Sequence, residues 1–326
     1  MPRRLLYLPT KYLLCLVAPF YSFCSFGLTM QQFQMLSTND SVISYQFGYR
    51  HDELNWNIGS NLAGTFTPNI LSELSWERIE STQFSLNLST MVNEDVYFRV
   101  HIATSSIYSG ENQDSDYNGN NRTLEFSRSN NNASKGRHFD AGVAMGFPAR
   151  HVTTNTKKIL FVPMVGYSYN RQYLTLTDGV QTLATNQSAP LGPIPGLNSI
   201  YEAQWHGPWA GLELLYKISE AAELNIAFEH HRGAYLGQAN WNLRTNFQHP
   251  LSFEHEADAT GNVLSVDLIL GTPEDYQWYV SLEYQRWQTD AGTDRVFLSD
   301  NTIAITRLNE VNWISYSASV GVLISF

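Results

Sequence analysis

Asp114 and Asp116 stand one residue apart in the stretch GENQDSDYNGNN, residues 110–121. Two carboxylates this close can share a proton and hold a water between them, which is half of what a hydrolytic site needs. The other half is a base that turns the water into a nucleophile, and a neutral imidazole oriented by a carboxylate does this best. His230, His231, His249 and His255 fall together later in the chain, the last within FEHEAD beside Glu254, Glu256 and Asp258. Of these, His255 lies near the start of a strand-like segment and is the histidine best placed to serve. The plainer alternative is that both stretches are solvated loop, because catalysis demands a geometry that spacing alone does not supply. His255 with Glu254 or Asp258 also offers metal-ligand types, but no H-E-x-x-H spacing is present, so neither a metal nor a cofactor is expected. Gly-x-Ser-x-Gly, phosphate-loop and dinucleotide fingerprints are absent as well.

The elements that would carry these residues begin with a targeting pattern. Arg3, Arg4 and Lys11 precede the apolar stretch YLLCLVAPF, and small residues follow around Ser22, Cys24, Ser25 and Gly27. This reads as a cleavable secretory signal over 1–27, with the mature domain from 28 to 326. Phe23 before Cys24 speaks against a lipoprotein cleavage box. Cys15 and Cys24 would leave with the signal, which removes thiol nucleophiles, disulfides and Cys-ligated metals from the mature chain. Seventeen basic residues then face 30 acidic ones, a net charge of −13. Nucleic acid is a poor partner for such a chain, since phosphates need a basic footprint.

Period-two alternation runs through the rest. In ISYSASVGVLISF, Ile314, Tyr316, Ala318, Val320, Val322, Ile324 and Phe326 share one face while Ser315, Ser317, Ser319, Gly321 and Ser325 share the other. Tyr276 to Tyr284 and Leu264 to Leu270 follow the same rule, as do Leu224 to Phe228 and Val96 to Ile102, with charges on the polar face. Short links at 92–95, 218–221 and 271–275 alternate with long polar stretches at 109–136, 177–202, 241–256 and 289–305, as in a membrane barrel with periplasmic turns and extracellular loops. Ten strands fit, at about 43–60, 69–92, 95–108, 137–150, 157–176, 203–218, 221–240, 257–271, 275–289 and 305–326. The expected fold is all-β, a ten-stranded antiparallel transmembrane β-barrel. Trp205, Trp209, Tyr216, Tyr276, Trp278, Tyr284, Trp287, Trp313 and Tyr316 cluster toward strand ends, where interfacial rings settle.

The order LSELSW (71–76), DSD (114–116), VGYSYNRQYLTLTDG (165–179) and GPWAGLELLYKISE (207–220) resembles the omptins, ten-stranded outer-membrane proteases of Gram-negative cell envelopes. The resemblance implies that Asp114 and Asp116 stand where the family keeps its first catalytic pair, and that lipopolysaccharide contacts the outer face. The family's second pair, Asp-x-His, should lie where the seventh strand enters its loop. Asn240, Trp241, Asn242 and Leu243 stand there instead.

Three functions follow as expectations. The first is a non-proteolytic barrel acting as a surface structural, adhesive or binding protein, meeting a host or envelope protein through its extracellular loops. The second is an endopeptidase in which His255 joins Asp114 and Asp116, and this requires all three to converge at the mouth. The third is a small pore, against which inward charges such as Arg99, Glu229, Asp267 and Glu283 are expected to pair and plug the lumen.

Overall fold

The computed structural model describes residues 41–93, 95–149, 159–186, 188–272 and 276–326. The expected signal segment 1–27 and both cysteines therefore lie outside the described residues. The described chain is all-β: β1 (Ser41–Ile58), β2 (Ser72–Asn93), β3 (Val96–Gly119), β4 (Thr123–Asn132), β5 (Gly136–Gly146), β6 (Ile159–Ala184), β7 (Gly192–Pro193), β8 (Asn198–Ser219), β9 (Ala222–Asn240), β10 (Phe253–Leu270), β11 (Gln277–Thr289), β12 (Gly292–Phe297) and β13 (Ile303–Ser325). Every pairing is antiparallel, and β1 pairs with both β2 and β13, which closes the sheet. β4 continues β5 between β3 and β6, and β12 continues β11 between β10 and β13. The ring thus has the expected ten positions.

Alternation explains both surfaces. Outward residues such as Tyr45, Phe47, Val143, Val165, Leu212, Leu282 and Val320 are exposed and form an apolar belt for lipid. Above this belt the outward face turns to charge, with Glu53, Glu77, Glu111, Glu256 and Arg295. The strands run on well past the lipid zone. Most of what the sequence suggests as loop at 109–136, 177–202 and 289–305 is strand, and β10 takes up the end of 241–256. The reason is physical: outside lipid both faces tolerate polar residues, so the hydrophobic alternation fades while the hydrogen-bond ladder continues.

Inside, the lumen is filled in layers. Toward the mouth, Trp56, Trp76, Trp205, Trp287 and Trp313 pack with Tyr201 and Tyr235. The rings of Trp205, Trp287 and Trp313 lie 5.8–5.9 Å apart. This corrects the interfacial reading for part of the aromatic set. Trp205, Trp209, Trp287 and Trp313 are buried inside, whereas Tyr216, Tyr276, Trp278, Tyr284 and Tyr316 are exposed outside, and strand parity makes the division. Beneath the tryptophans lies an ionic layer. Arg50 Nε donates to Asp52 Oδ2 at 2.9 Å and its Nη1 reaches Asp140 Oδ2 on β5. Arg99 on β3 reaches across to Glu229 Oε1 on β9 at 2.8 Å. A space of about 50 Å³ beside Arg99, Glu229 and His231 holds a few waters at most. A second apolar layer, including Val42, Tyr97, Val162 and Leu323, packs near the periplasmic end. Of the inward charges the sequence singles out, Arg99 and Glu229 pair, while Asp267 accepts from the Ser281 hydroxyl at 2.9 Å and Glu283 from the Gln285 amide at 2.7 Å.

Candidate functional site

Asp114 and Asp116 are strand residues of β3, and the turn lies beyond them at 120–122. They are half-buried. Their inward direction has a local cause. In the lower part of β3 the odd-numbered residues Tyr97, Arg99, Ala103, Ser105 and Ile107 face in. The register between β2 and β3 shifts between Glu77 and Ser81, where Arg78 adopts φ 53°. Beyond that bulge Leu74 and Trp76 of β2 are buried, and Asp114 and Asp116 of β3 line the lumen. Gly110 sits at the same level, where a Cβ would collide with Ile79 Cδ1 and lie 2.8 Å from Ala133 O. A bulge adds a residue and so exchanges the two faces of everything above it.

Both aspartates open into a mouth cavity of about 730 Å³. The Ser72 and Ser127 hydroxyls donate to Asp116. Burial and the neighbouring Asp116 carboxylate push the Asp114 carboxyl up to about 8, against the opposing pull of Arg244. Burial raises Asp116 as well. Two carboxyls held this way keep a proton between them near neutral pH.

His255 and Asp294 are on the same cavity, on β10 and β12, across the ring from β3 and β4. The sequence singles out His255 but not Asp294, which falls in a stretch it reads as loop. His255 Nε2 lies 3.3 Å from Asp294 Oδ1, and Asp294 Oδ2 accepts from the Thr306 hydroxyl at 2.7 Å. His255 Nδ1 faces the Tyr201 hydroxyl at 2.9 Å, and Tyr201 in turn shares a 2.5 Å hydrogen bond with Tyr235. Trp56 and Phe253 close on the imidazole with ring centroids 4.7 and 5.1 Å away. The side chain is 0% exposed. The sequence therefore locates three residues that share one cavity, while the structure packs the imidazole against Trp56 and Phe253, with Nδ1 bonded to the Tyr201 hydroxyl and Nε2 beside the Asp294 carboxylate but not hydrogen-bonded to it.

The other histidines lie elsewhere. His231 faces the lumen, with Nε2 3.1 Å from Glu229 Oε2 and Nδ1 3.0 Å from the Ser168 hydroxyl. His230 faces out and contacts Asn262 Oδ1 at 2.9 Å. His249 meets Asn240 Oδ1 at 2.8 Å in the connection after β9. Parity overturns the metal alternative: Glu254, Glu256 and Asp258 alternate with buried His255 and so face outward, where Gln238 donates to Glu254 and Arg295 pairs with Glu256. Asn240, Trp241 and Asn242 occupy the place of the expected Asp-x-His; Asn242 Oδ1 accepts from the Asn198 amide at 2.9 Å and Trp241 lines the cavity.

Residues 44–326 match the family model described as "Pom: Protochlamydia outer membrane protein". No curated protein matches the chain in sequence. Among solved structures the chain is similar to the outer membrane protease OmpT of Escherichia coli, with a TM-score of 0.72 and 13% identity over 90% of this chain and 100% of that one. At that identity the likeness speaks for the fold alone, and the fold is the omptin-like one expected. Further similarities are to the translocator domain of the autotransporter NalP from Neisseria meningitidis, at TM-score 0.37 and 7% identity over 91% of both chains. The outer membrane protein OprG of Pseudomonas aeruginosa matches at TM-score 0.30 and 10% identity, over 88% of this chain and 95% of that one.

Proposed function

From a chain that belongs to the Protochlamydia outer membrane protein family and folds as an omptin-like outer-membrane barrel, we infer a surface binding protein without proteolytic activity, exported by the signal at 1–27. The observation that carries this reading is the enclosure of His255. A general base needs a nitrogen aimed at the water it deprotonates. Here Nδ1 is taken by the Tyr201 hydroxyl, Nε2 lies 3.3 Å from Asp294 Oδ1 without a hydrogen bond, and the side chain, packed against Trp56 and Phe253, is 0% exposed. Asp114 and Asp116 then serve as polar groups of a binding cavity. Lipopolysaccharide contacts the outer face along Arg137, Arg171, Arg232 and Arg286, outward residues at the upper edge of the apolar belt. A partner protein meets the exposed Leu62, Phe66, Leu124 and Leu191 of the rim.

One observation favours a second reading, an endopeptidase: Asp114, Asp116, His255 and Asp294 do share one cavity. The test is peptide-bond cleavage by the refolded mature barrel with lipopolysaccharide present, against a mixed peptide library, beside Asp114→Asn/Asp116→Asn and His255→Ala variants. The binding reading expects intact peptides in all three. Cleavage by the native barrel that disappears in both variants would overturn it.

A further inference from the structure

The mouth cavity has two unlike walls. Asp114, Asp116, Asn131 and Gln181 stand on the side of β3, β4 and β6. Trp56, Trp241, Phe247 and Phe253 face them from β1, β10 and the 241–252 connection. Besides His255 Nε2, which the Asp294 carboxylate faces at 3.3 Å, two buried polar atoms on these walls have no protein partner: the Trp56 indole Nε1, a donor, and Asn131 Oδ1, an acceptor. Their residues are 3% and 6% exposed, and a polar atom left so is destabilising unless something supplies the missing bond. A ligand that both accepts and donates on one edge while offering an apolar face to the rings would satisfy the whole surface.

Charge narrows the class. Asp114 and Asp116 face Arg244, and Asp294 lies 3.3 Å from His255 on the same cavity, so the charges of the site already have partners and a strongly cationic or anionic ligand gains little from it. Backbone pairing narrows it again. β4 is bonded to β3 and β6, and β12 to β10 and β13, so these mouth strands offer no open edge to which an extended peptide could add. Recognition must come from side chains acting on a compact, hydroxyl-rich molecule. Hydroxyls donate and accept at once, and the C–H face of a sugar ring packs on aromatic rings.

We propose that the mouth cavity binds a neutral saccharide, its ring against Trp241 and Phe253 and its hydroxyls on Trp56 Nε1, Asn131 Oδ1 and the Asp114–Asp116 pair. This rests on the binding-protein reading and gives that site its ligand class.

The test uses the folded barrel in lauryldimethylamine oxide, because maltoside detergents carry a sugar headgroup that would compete. An array of neutral and acidic glycans is screened in parallel with a peptide array, and neutral hits, with maltotriose and diacetylchitobiose always included, are titrated by tryptophan fluorescence. Saturable binding of a neutral glycan is expected. Trp241→Ala and Asn131→Ala should each weaken it at least tenfold while the melting temperature of the half-exposed Trp241 variant stays near native. Binding indifferent to both substitutions, or binding of acidic glycans alone, overturns the proposal. Peptide binding without glycan binding also overturns it, yet leaves the binding-protein reading standing. Silence on both arrays removes both.

Discussion

Asp114→Asn tests the electrostatics of the mouth most directly. In the folded barrel burial and Asp116 push the Asp114 carboxyl from 3.8 to about 8. A carboxyl raised in this way is a penalty that depends on pH. Below about pH 4 the group is protonated whether the chain is folded or not, and it costs nothing. Between about 4 and 8 the unfolded chain releases the proton while the folded barrel retains it, so stability falls as pH rises; above about 8 the loss is complete. Four units at 1.36 kcal/mol each set an upper bound of about 5.5 kcal/mol. The proton belongs to the pair, and the pair opens to solvent at the mouth, so about 2–3 kcal/mol is the expected size. Asparagine keeps the shape and removes the titration. The assay is urea unfolding in detergent micelles, followed by tryptophan fluorescence, at pH 4 and pH 9 for native and Asp114→Asn barrels. Titrating groups other than Asp116 are common to both proteins and cancel in the difference. The variant should match the native protein at pH 4 and exceed it by about 2–3 kcal/mol at pH 9. Parallel pH profiles would refute the shared-proton description of this pair.

The layered lumen predicts a planar bilayer that stays near baseline conductance with the native protein, and resolved native steps of a steady open channel would show that the ionic layer is not closed in solution. Removing Arg99 leaves Glu229 without its 2.8 Å partner, so Arg99→Ala should lower stability by about 3–5 kcal/mol in the same urea assay; a change under 1 kcal/mol would mean water replaces the guanidinium at no cost. For the outer face, Arg137→Glu/Arg171→Glu should reduce the lipopolysaccharide that co-elutes with the purified barrel by at least half, and unchanged co-elution would move the contact elsewhere.

The membrane part of this protein was readable because lipid enforces a strict rule. Tyr276 to Tyr284 and Ile314 to Phe326 could be assigned to the outer face residue by residue, since apolar and polar side chains cannot exchange places there. The short links at 92–95 and 218–221 were equally plain. Legibility ended where the lipid ends. Above it no solvent contrast marks the faces, so β4 and β12 read as loop, and nothing local in the sequence sets Asp294 beside His255. Trp205, Trp287 and Trp313 were hidden for a different reason: large aromatics suit both a membrane interface and a packed interior, and only the register of each strand tells which. The pairing of Asp114 and Asp116 across the mouth from His255 was legible as residues, but the screen of Trp56, Phe253 and Tyr201 arises from three separated strand positions and leaves no local signature.

The bulge at Arg78 divides β2 into two storeys read in different phase. Below it, odd-numbered residues from Ile79 onward point inward; above it, Leu74 and Trp76 do. β3 makes the same change between Ile107 and Asn112, with Gly110 between. The arrangement works like a frameshift written in side-chain direction. A single residue gained or lost at that level would turn the aspartate pair from the cavity to the outside while leaving every lipid-facing residue below in place. The mouth can therefore be rewritten wholesale over an unchanged membrane belt, and an alignment that slides through the bulge without a gap will compare inward residues of one chain with outward residues of another.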